Sequence, residues 1–181
     1  MLKFAYIINM PGQTPDTYSA VYENAESYNM VAGVDGVESA KDYVKALADD
    51  GYTLINLCGD FDDEITADIQ ATAGADVKIR HADYLPAEMD KLAKLEDLPT
   101  YGIVIVMRGV ETPHELELKC DDCDTTAIFV KDLEQAQAAA KKLTDSGIAF
   151  IELCSWFDKE RTEAVIDAVG GAIPVGTCGE L

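Results

Sequence analysis

The feature that most constrains the fold of this chain is an internal repeat. Residues 55–62 read Ile-Asn-Leu-Cys-Gly-Asp-Phe-Asp, and residues 151–158 read Ile-Glu-Leu-Cys-Ser-Trp-Phe-Asp, 96 positions later. The apolar run at residues 4–10 likewise resembles residues 101–107, at an offset of 97. Because self-similarity at a fixed spacing indicates repeated structural units, the chain is predicted to be a tandem duplication. We expect residues 1–85 to form the first repeat, residues 86–99 a connecting helix and residues 100–181 the second repeat.

Short apolar runs alternate with helical patterns along both copies. This alternation is typical of βαβ units with parallel strands, because parallel neighbours need a crossover connection. Predicted strands begin about every 24 residues, from residue 3 to residue 172. Eight even steps predict two tandem βαβαβαβ repeats, related by a pseudo-two-fold axis, in a small (βα)8 barrel. The alternative is two packed, four-stranded, doubly wound lobes.

Some residues favour the two lobes and one favours the barrel. Pro174 within a predicted strand, and the alternation of Lys78 with Arg80, are typical of sheet edges and favour the two lobes. Glu152 favours the barrel, because a carboxylate in the middle of a strand could face the barrel lumen. The sequence therefore leaves the arrangement of the two copies open.

Local signals assign several elements. Residues 14–24 carry Pro in a first turn and predict a short helix. Asp35 with Glu38 predicts a capping box at the start of the next helix. The pattern assigns no element type to residues 112–118.

The charge balance excludes some partners. The chain has 34 Asp and Glu residues against 14 Lys and Arg residues, a formal net charge of −20. Such a surface repels polyanions, so we expect no binding to nucleic acid or to anionic membranes. No apolar run approaches the roughly 20 residues that span a bilayer. The apolar start lacks a cleavage motif and recurs internally, and the five cysteines follow no disulfide pattern, so a reduced, cytoplasmic protein is predicted.

Two equivalent residue pairs are the main candidates for chemistry. Asn56 with Cys58, and Glu152 with Cys154, are two residues apart, so each pair shares one strand face. Each cysteine ends its strand, at the edge where parallel α/β folds place their sites. We predict Glu152 as an acid–base residue and Cys154 as a nucleophile or ligand. The alternative is a pair of buried cysteines that only pack.

Further candidates lie near the same strand ends. We expect Asn56, Cys58, His81, Arg108 and Cys178 to contact a ligand, most simply a small anion. The alternative for His81 and Arg108 is a solvated loop position. Cys120 and Cys123 form a lone Cys-x-x-Cys, which supplies too few ligands for structural zinc, so no metal site is predicted. No cofactor-binding motif is recognisable.

These observations predict a small-molecule-binding or enzyme-like α/β protein with its site at the carboxyl ends of the strands. The alternative is a non-catalytic assembly or scaffold module that forms a homo-oligomer by covering an exposed sheet edge. The sequence leaves open which ligand binds, whether the protein is catalytic and how many copies associate.

Each half also resembles a bacterial family of uncharacterised α/β proteins of about a hundred residues. Its members carry an Ile-Glu-Leu-Cys-Gly-Gly-Phe-like signature, a Gly-Gly helix stop and a Val-Pro-Val-Gly strand. The first copy departs from the signature with Asn56 in place of Glu. The second copy keeps Ile151, Glu152, Leu153, Cys154, Phe157, Gly170, Gly171, Pro174, Val175 and Gly176. The resemblance implies a duplicated α/β domain and brings no activity.

Overall fold

The computed structural model describes residues 1–181 and divides into two compact units. Unit 1 comprises residues 1–81 and unit 2 comprises residues 82–181. Each unit contains one copy of the repeated pattern and one mixed five-stranded sheet. The predicted duplication and the α/β class are therefore confirmed.

Unit 1 is built from five strands and two helices. These are β1 (Leu2–Asn9), β2 (Ser19–Glu23), β3 (Ser27–Val34), α1 (Gly36–Asp49), β4 (Leu54–Leu57), α2 (Asp63–Ala73) and β5 (Lys78–His81). The sheet order is β2-β3-β1-β4-β5, in which β2 runs antiparallel to β3 and every other pair is parallel. Buried aliphatic and aromatic side chains fill β1 almost completely, as expected for a central parallel strand.

Unit 2 repeats this plan and adds a helix in front of it. Its elements are α3 (Pro86–Leu92), β6 (Thr100–Val106), β7 (His114–Leu118), β8 (Asp124–Val130), α4 (Leu133–Asp145), β9 (Phe150–Leu153), α5 (Lys159–Ala168) and β10 (Val175–Thr177). The sheet order is β10-β9-β6-β8-β7, and only β7 is antiparallel to its neighbour. The two sheets therefore have the same topology.

The (βα)8 barrel expectation is not met, because the ten strands form two separate open sheets. The two-lobe alternative is closer, since each sheet contains four parallel strands. The short helix expected at residues 14–24 is also wrong, because Ser19–Glu23 forms β2. Its side chains alternate between exposed and half-buried, and its backbone pairs with β3, so tertiary pairing overrides the local helix signal. The unassigned residues 112–118 contain the equivalent strand, β7.

Three of the five helices begin at an aspartate cap, whereas α1 and α3 have no side-chain cap. The carboxylates of Asp62, Asp132 and Asp158 each accept a hydrogen bond from the backbone N–H three residues later, which caps α2, α4 and α5. Asp35 precedes α1 but its side chain makes no such bond, so the capping box expected there is absent. Instead, Oδ1 of Asn9 accepts the N–H of Gly36 at 3.0 Å.

The segment of residues 82–92, named here the edge segment, covers the outer edge of the unit 2 sheet. The backbones of Asp83 and Thr177 exchange two hydrogen bonds of 2.8 Å. The carboxylate of Glu88 accepts the N–H of Val175 at 2.9 Å and pairs with Lys91 at 2.7 Å. The edge segment therefore adds a further backbone partner beside β10, and the connecting helix lies within unit 2.

None of the helices combines the length and the apolar character needed to cross a bilayer.

Candidate functional site

The carboxyl edge of each sheet contains a topological switch point. In unit 1 the chain leaves β1 towards β3 but leaves β4 towards β5, so the switch point lies between the ends of β1 and β4. In unit 2 the corresponding strands are β6 and β9. Open α/β sheets bind ligands at such points. The predicted cysteines lie at both of them.

Cys58 lies at the switch point of unit 1, directly after β4. Its side chain is buried, and its Sγ accepts the backbone N–H of Asn9 at 3.2 Å. The side-chain Nδ2 of Asn9 also donates a hydrogen bond to Oδ2 of Asp60, at 3.3 Å. Asn9 therefore ties together the ends of β1 and β4 and the start of α1, with Gly36 as its third partner.

Cys154 has the same place in unit 2. Burial raises the pKa of its thiol to about 11, and hydrogen bonds from the backbone of Trp156 and Val106 offset only part of that rise. The side chain is 3% exposed. Because the thiolate is the nucleophilic form, this environment does not favour the nucleophilic role predicted for Cys154. Cys178 is also buried, and its backbone N–H bonds to Leu153.

Glu152 lies on the sheet face opposite α4. The preceding residue, Ile151, is in register with Gly102, and a Cβ on Gly102 would lie 3.1 Å from Leu143 of α4, so the next side chain along β9 points to the other face. Two phenol groups hold the buried carboxylate of Glu152. Tyr84 donates to Oε1 at 2.6 Å and Tyr101 donates to Oε2. Both oxygens therefore have a donor, which is the arrangement that a buried carboxylate requires.

Tyr84 links Glu152 to the edge segment. Its ring lies against Gly176, where an added Cβ would come within 2.6–2.8 Å of three ring atoms. Gly176 is the register partner of Glu152. In the first copy the equivalent positions are Asn56 and Arg80, so the Glu and the Gly change together. This joint change indicates that the two residues accommodate Tyr84 together. Glu152 accepts its hydroxyl, and Gly176 leaves room for its ring.

The remaining predicted residues are divided between the units. Nδ1 of His81 lies 3.0 Å from the hydroxyl of Thr66, and its Nε2 lies 3.7 Å from the carboxylate of Asp63. Arg108 is exposed in the turn after β6. Unit 1 thus contains Asn56, Cys58 and His81, whereas unit 2 contains Arg108, Glu152, Cys154 and Cys178.

Unit 1 has a cavity of about 380 Å³ beside α1, named here the α1 cavity. It lies between the β1–β2 loop and the carboxyl end of β3. Its polar and apolar lining includes Thr14, Asp35, Ser39, Asp42, Tyr43 and Ala46. None of these residues was predicted as a ligand contact. The only signal in the sequence is that the repeat diverges at these helix positions.

Unit 2 has a smaller cavity of about 210 Å³ beside α4, named here the α4 cavity. Its helix positions are Gln135, Ala138, Ala139 and Lys142, which are the repeat equivalents of Ser39, Asp42, Tyr43 and Ala46. Lys142 pairs with Glu115 across this cavity. The two copies therefore share a hollow at the same place but differ in its chemistry.

Cys120 and Cys123 lie at the two ends of a bend before β8. Sγ of Cys120 accepts the N–H of Cys123 at 3.4 Å. Burial, followed by the neighbouring Cys120, raises the pKa of Cys123 to about 11. No three His, Cys, Asp or Glu side chains lie together in a way that could hold an ion.

Comparison with solved structures finds only low similarity. A solute-binding protein of an ABC transporter system from Conexibacter woesei is 15% identical, with 97% of this chain and 69% of that chain covered and a TM-score of 0.32. A carbohydrate transporter from Acidothermus cellulolyticus, solved with myo-inositol, is 12% identical, with 97% and 73% covered and a TM-score of 0.32. A conserved domain protein from Vibrio cholerae is 12% identical, with 96% and 73% covered and a TM-score of 0.31. Scores this low carry no argument about function.

No curated protein matches the sequence. A family model matches almost the whole chain in two tandem segments, residues 2–97 and residues 100–179. The segments agree with the repeat and with the shared topology of the two sheets. The chain therefore belongs to the family of unknown function DUF6506, of which it contains two copies.

Proposed function

We propose that this protein binds a small molecule non-covalently in the α1 cavity. The observation that carries the proposal is the cavity itself, which has about 380 Å³ of space at the carboxyl edge of an α/β sheet. That volume lies within the range of about 300–1,000 Å³ that is usual for ligand pockets. Its lining combines hydroxyl, carboxylate and aromatic groups with the apolar Val34 and Ala46.

Binding has more support than covalent catalysis. The raised pKa of Cys154 keeps its thiol protonated at neutral pH, and Glu152 is engaged by two tyrosine hydroxyls. A nucleophile needs a lowered pKa or an adjacent base, and a general acid needs access to substrate. The roles of Glu152 and Cys154 that we propose instead are packing and attachment of the edge segment.

The asymmetry between the copies supports one working site. In the α4 cavity, Ala138 and Ala139 replace the polar Asp42 and Tyr43, and the only charged groups are a mutually paired Lys142 and Glu115. A polar ligand would therefore find fewer partners there. We infer that unit 2 supports the protein while unit 1 binds.

The test is a screen by amide NMR shifts on the full chain. The panel contains small cations, polyols, carboxylates and phosphates. We expect at least one compound to shift the amides of Val34, Asp35 and Ser39, which border the α1 cavity.

A cavity-filling variant distinguishes binding in the α1 cavity from non-specific shifts. Ala46→Trp places an indole in the α1 cavity and should abolish the shifts. Ala138→Trp fills the α4 cavity instead and should leave them unchanged. The proposal fails if no compound moves these amides, or if both variants behave alike.

A further inference from the structure

We infer that the ligand of the α1 cavity is a small organic cation that carries a primary ammonium group. This inference rests on the proposed function and names the ligand class for the same cavity. It depends on two carboxylates, on one phenol ring and on the contrast between the two copies.

The first carboxylate, on Asp35, does not cap α1, although its position in the sequence predicts a cap. The other aspartates that precede helices of this fold use their carboxylates as caps. At α1 the amide oxygen of Asn9 accepts the N–H of Gly36, and Asp35 makes no capping bond. Asp35 is exposed at the cavity wall and has no hydrogen-bond or ion-pair partner. Its charge is therefore available to a ligand.

The second carboxylate, on Asp42, has no cation of its own. The two lysines nearest to it on α1 are occupied elsewhere. Lys41 pairs with Glu38 and Asp68, and Lys45 pairs with Asp49. No Lys or Arg lines the α1 cavity. Two carboxylates without a counter-ion repel an anion and attract a cation, and the net charge of −20 adds to that attraction at long range.

Tyr43 adds an aromatic surface to the two carboxylates. Its hydroxyl donates to Sδ of Met30 at 2.7 Å, which holds the side chain against β3. Burial, followed by the nearby Tyr28 and Asp16, raises the pKa of Tyr43 to about 12, so the ring stays a neutral phenol. The face of such a ring attracts an ammonium group. Carboxylates beside an aromatic ring, with hydroxyls from Thr14 and Ser39, make a site for an amine.

The equivalent α4 cavity of the second copy lacks the carboxylate and the phenol on its helix. The positions of Asp42 and Tyr43 are alanines there, and Lys142 brings a positive charge to the position of Ala46. A cation would meet repulsion in the α4 cavity unless it displaced Lys142 from Glu115. The inference therefore assigns the ammonium site to unit 1 alone.

The experiment compares three four-carbon probes that differ in charge. Putrescine is a dication, butane-1,4-diol is neutral and succinate is a dianion, and each is titrated into the full chain with amide NMR shifts as the readout. We expect putrescine to shift the amides around the α1 cavity most strongly, with little response to the diol and none to succinate. Added salt should weaken putrescine binding, because the carboxylates are exposed.

Two charge-matched variants locate the attraction. Asp42→Asn and Asp76→Asn both lie in unit 1 and change the net charge equally, but only Asp42 lines the cavity, and the exposed Asp76 holds no lysine of α1. We expect Asp42→Asn to weaken putrescine binding about fivefold, the effect of losing one exposed charge pair, and Asp76→Asn to leave it nearly unchanged.

The outcomes separate this inference from the proposed function. If the diol or succinate binds in the cavity and putrescine does not, the ammonium class is wrong and the binding site stands. Equal weakening by the two variants also overturns the inference, because the attraction would then come from net charge alone. If neither these probes nor the wider panel moves any cavity amide, both proposals fail.

Discussion

A single methyl group at Gly176 tests the attachment of the edge segment. In the Gly176→Ala variant the new Cβ would lie 2.6–2.8 Å from three atoms of the Tyr84 ring, which is closer than carbon atoms approach. The ring must move, and its 2.6 Å hydrogen bond to Glu152 is lost or lengthened. The strand backbone cannot yield easily, because β10 is hydrogen-bonded to β9 and to the edge segment.

The expected cost follows from these contacts. A hydrogen bond to a buried charged group contributes about 1.5–3 kcal/mol. Displacing the ring from its packed position adds about 1 kcal/mol. Replacing Gly by Ala offsets about 0.5–1 kcal/mol of this loss, because it lowers the conformational entropy of the unfolded chain. We therefore expect Gly176→Ala to lower the free energy of unfolding by about 1.5–3.5 kcal/mol.

Urea unfolding of the full chain, read as a double-mutant cycle with Tyr84→Ala, measures the coupling. Once the ring is absent, Gly176→Ala should be neutral or slightly stabilising, since nothing remains for the methyl group to displace. Hydrogen exchange at the amides of Val175 and Thr177 should speed up in Gly176→Ala, because both bond to the edge segment. An equal cost of Gly176→Ala in both backgrounds would refute the reasoning.

The remaining predictions concern helix caps and the buried thiol. Asp158→Ala should cost about 1 kcal/mol in urea unfolding, whereas Asp35→Ala should cost almost nothing, because only Asp158 caps its helix; equal costs would contradict the capping assignment. Cys154 should resist alkylation at neutral pH until the protein unfolds, as measured by mass spectrometry of labelled peptides. Its pKa is raised from 9.0 to about 11 in the folded state, so the stability that the protonated thiol contributes is complete below pH 9 and is lost as the pH rises to about 11. Cys154→Ala should flatten the decline in unfolding free energy over that interval, and an unchanged slope would argue against the shift.

The sequence alone determined the repeating unit. Identical helix stops at Gly51 and Gly147, together with matched apolar runs, require the same local structure twice, because hydrophobic periodicity and chain reversals are local properties. The sequence also placed Cys58 and Cys154 at strand ends, where the structure has them.

Sheet closure and the first crossover were decided by tertiary structure. Evenly spaced βα steps are the same in a barrel and in two open sheets, and only the pairing between strands separates them. Residues 19–23 became β2 because β3 offers an unpaired edge, a contact that local propensity does not contain.

The chemistry of individual side chains also depended on long-range contacts. From sequence, Glu152 was a candidate acid–base residue, but Tyr84 lies 68 positions away and reaches both Glu152 and Gly176 only in the folded unit. Asp35 was a predicted cap, but its side chain makes no capping bond; Asn9, 27 residues before Gly36, accepts the first N–H of α1, and the Asp35 carboxylate lies beside the cavity. Local pattern fixes which face a residue occupies, whereas the partners that set its charge and its availability come from distant parts of the chain.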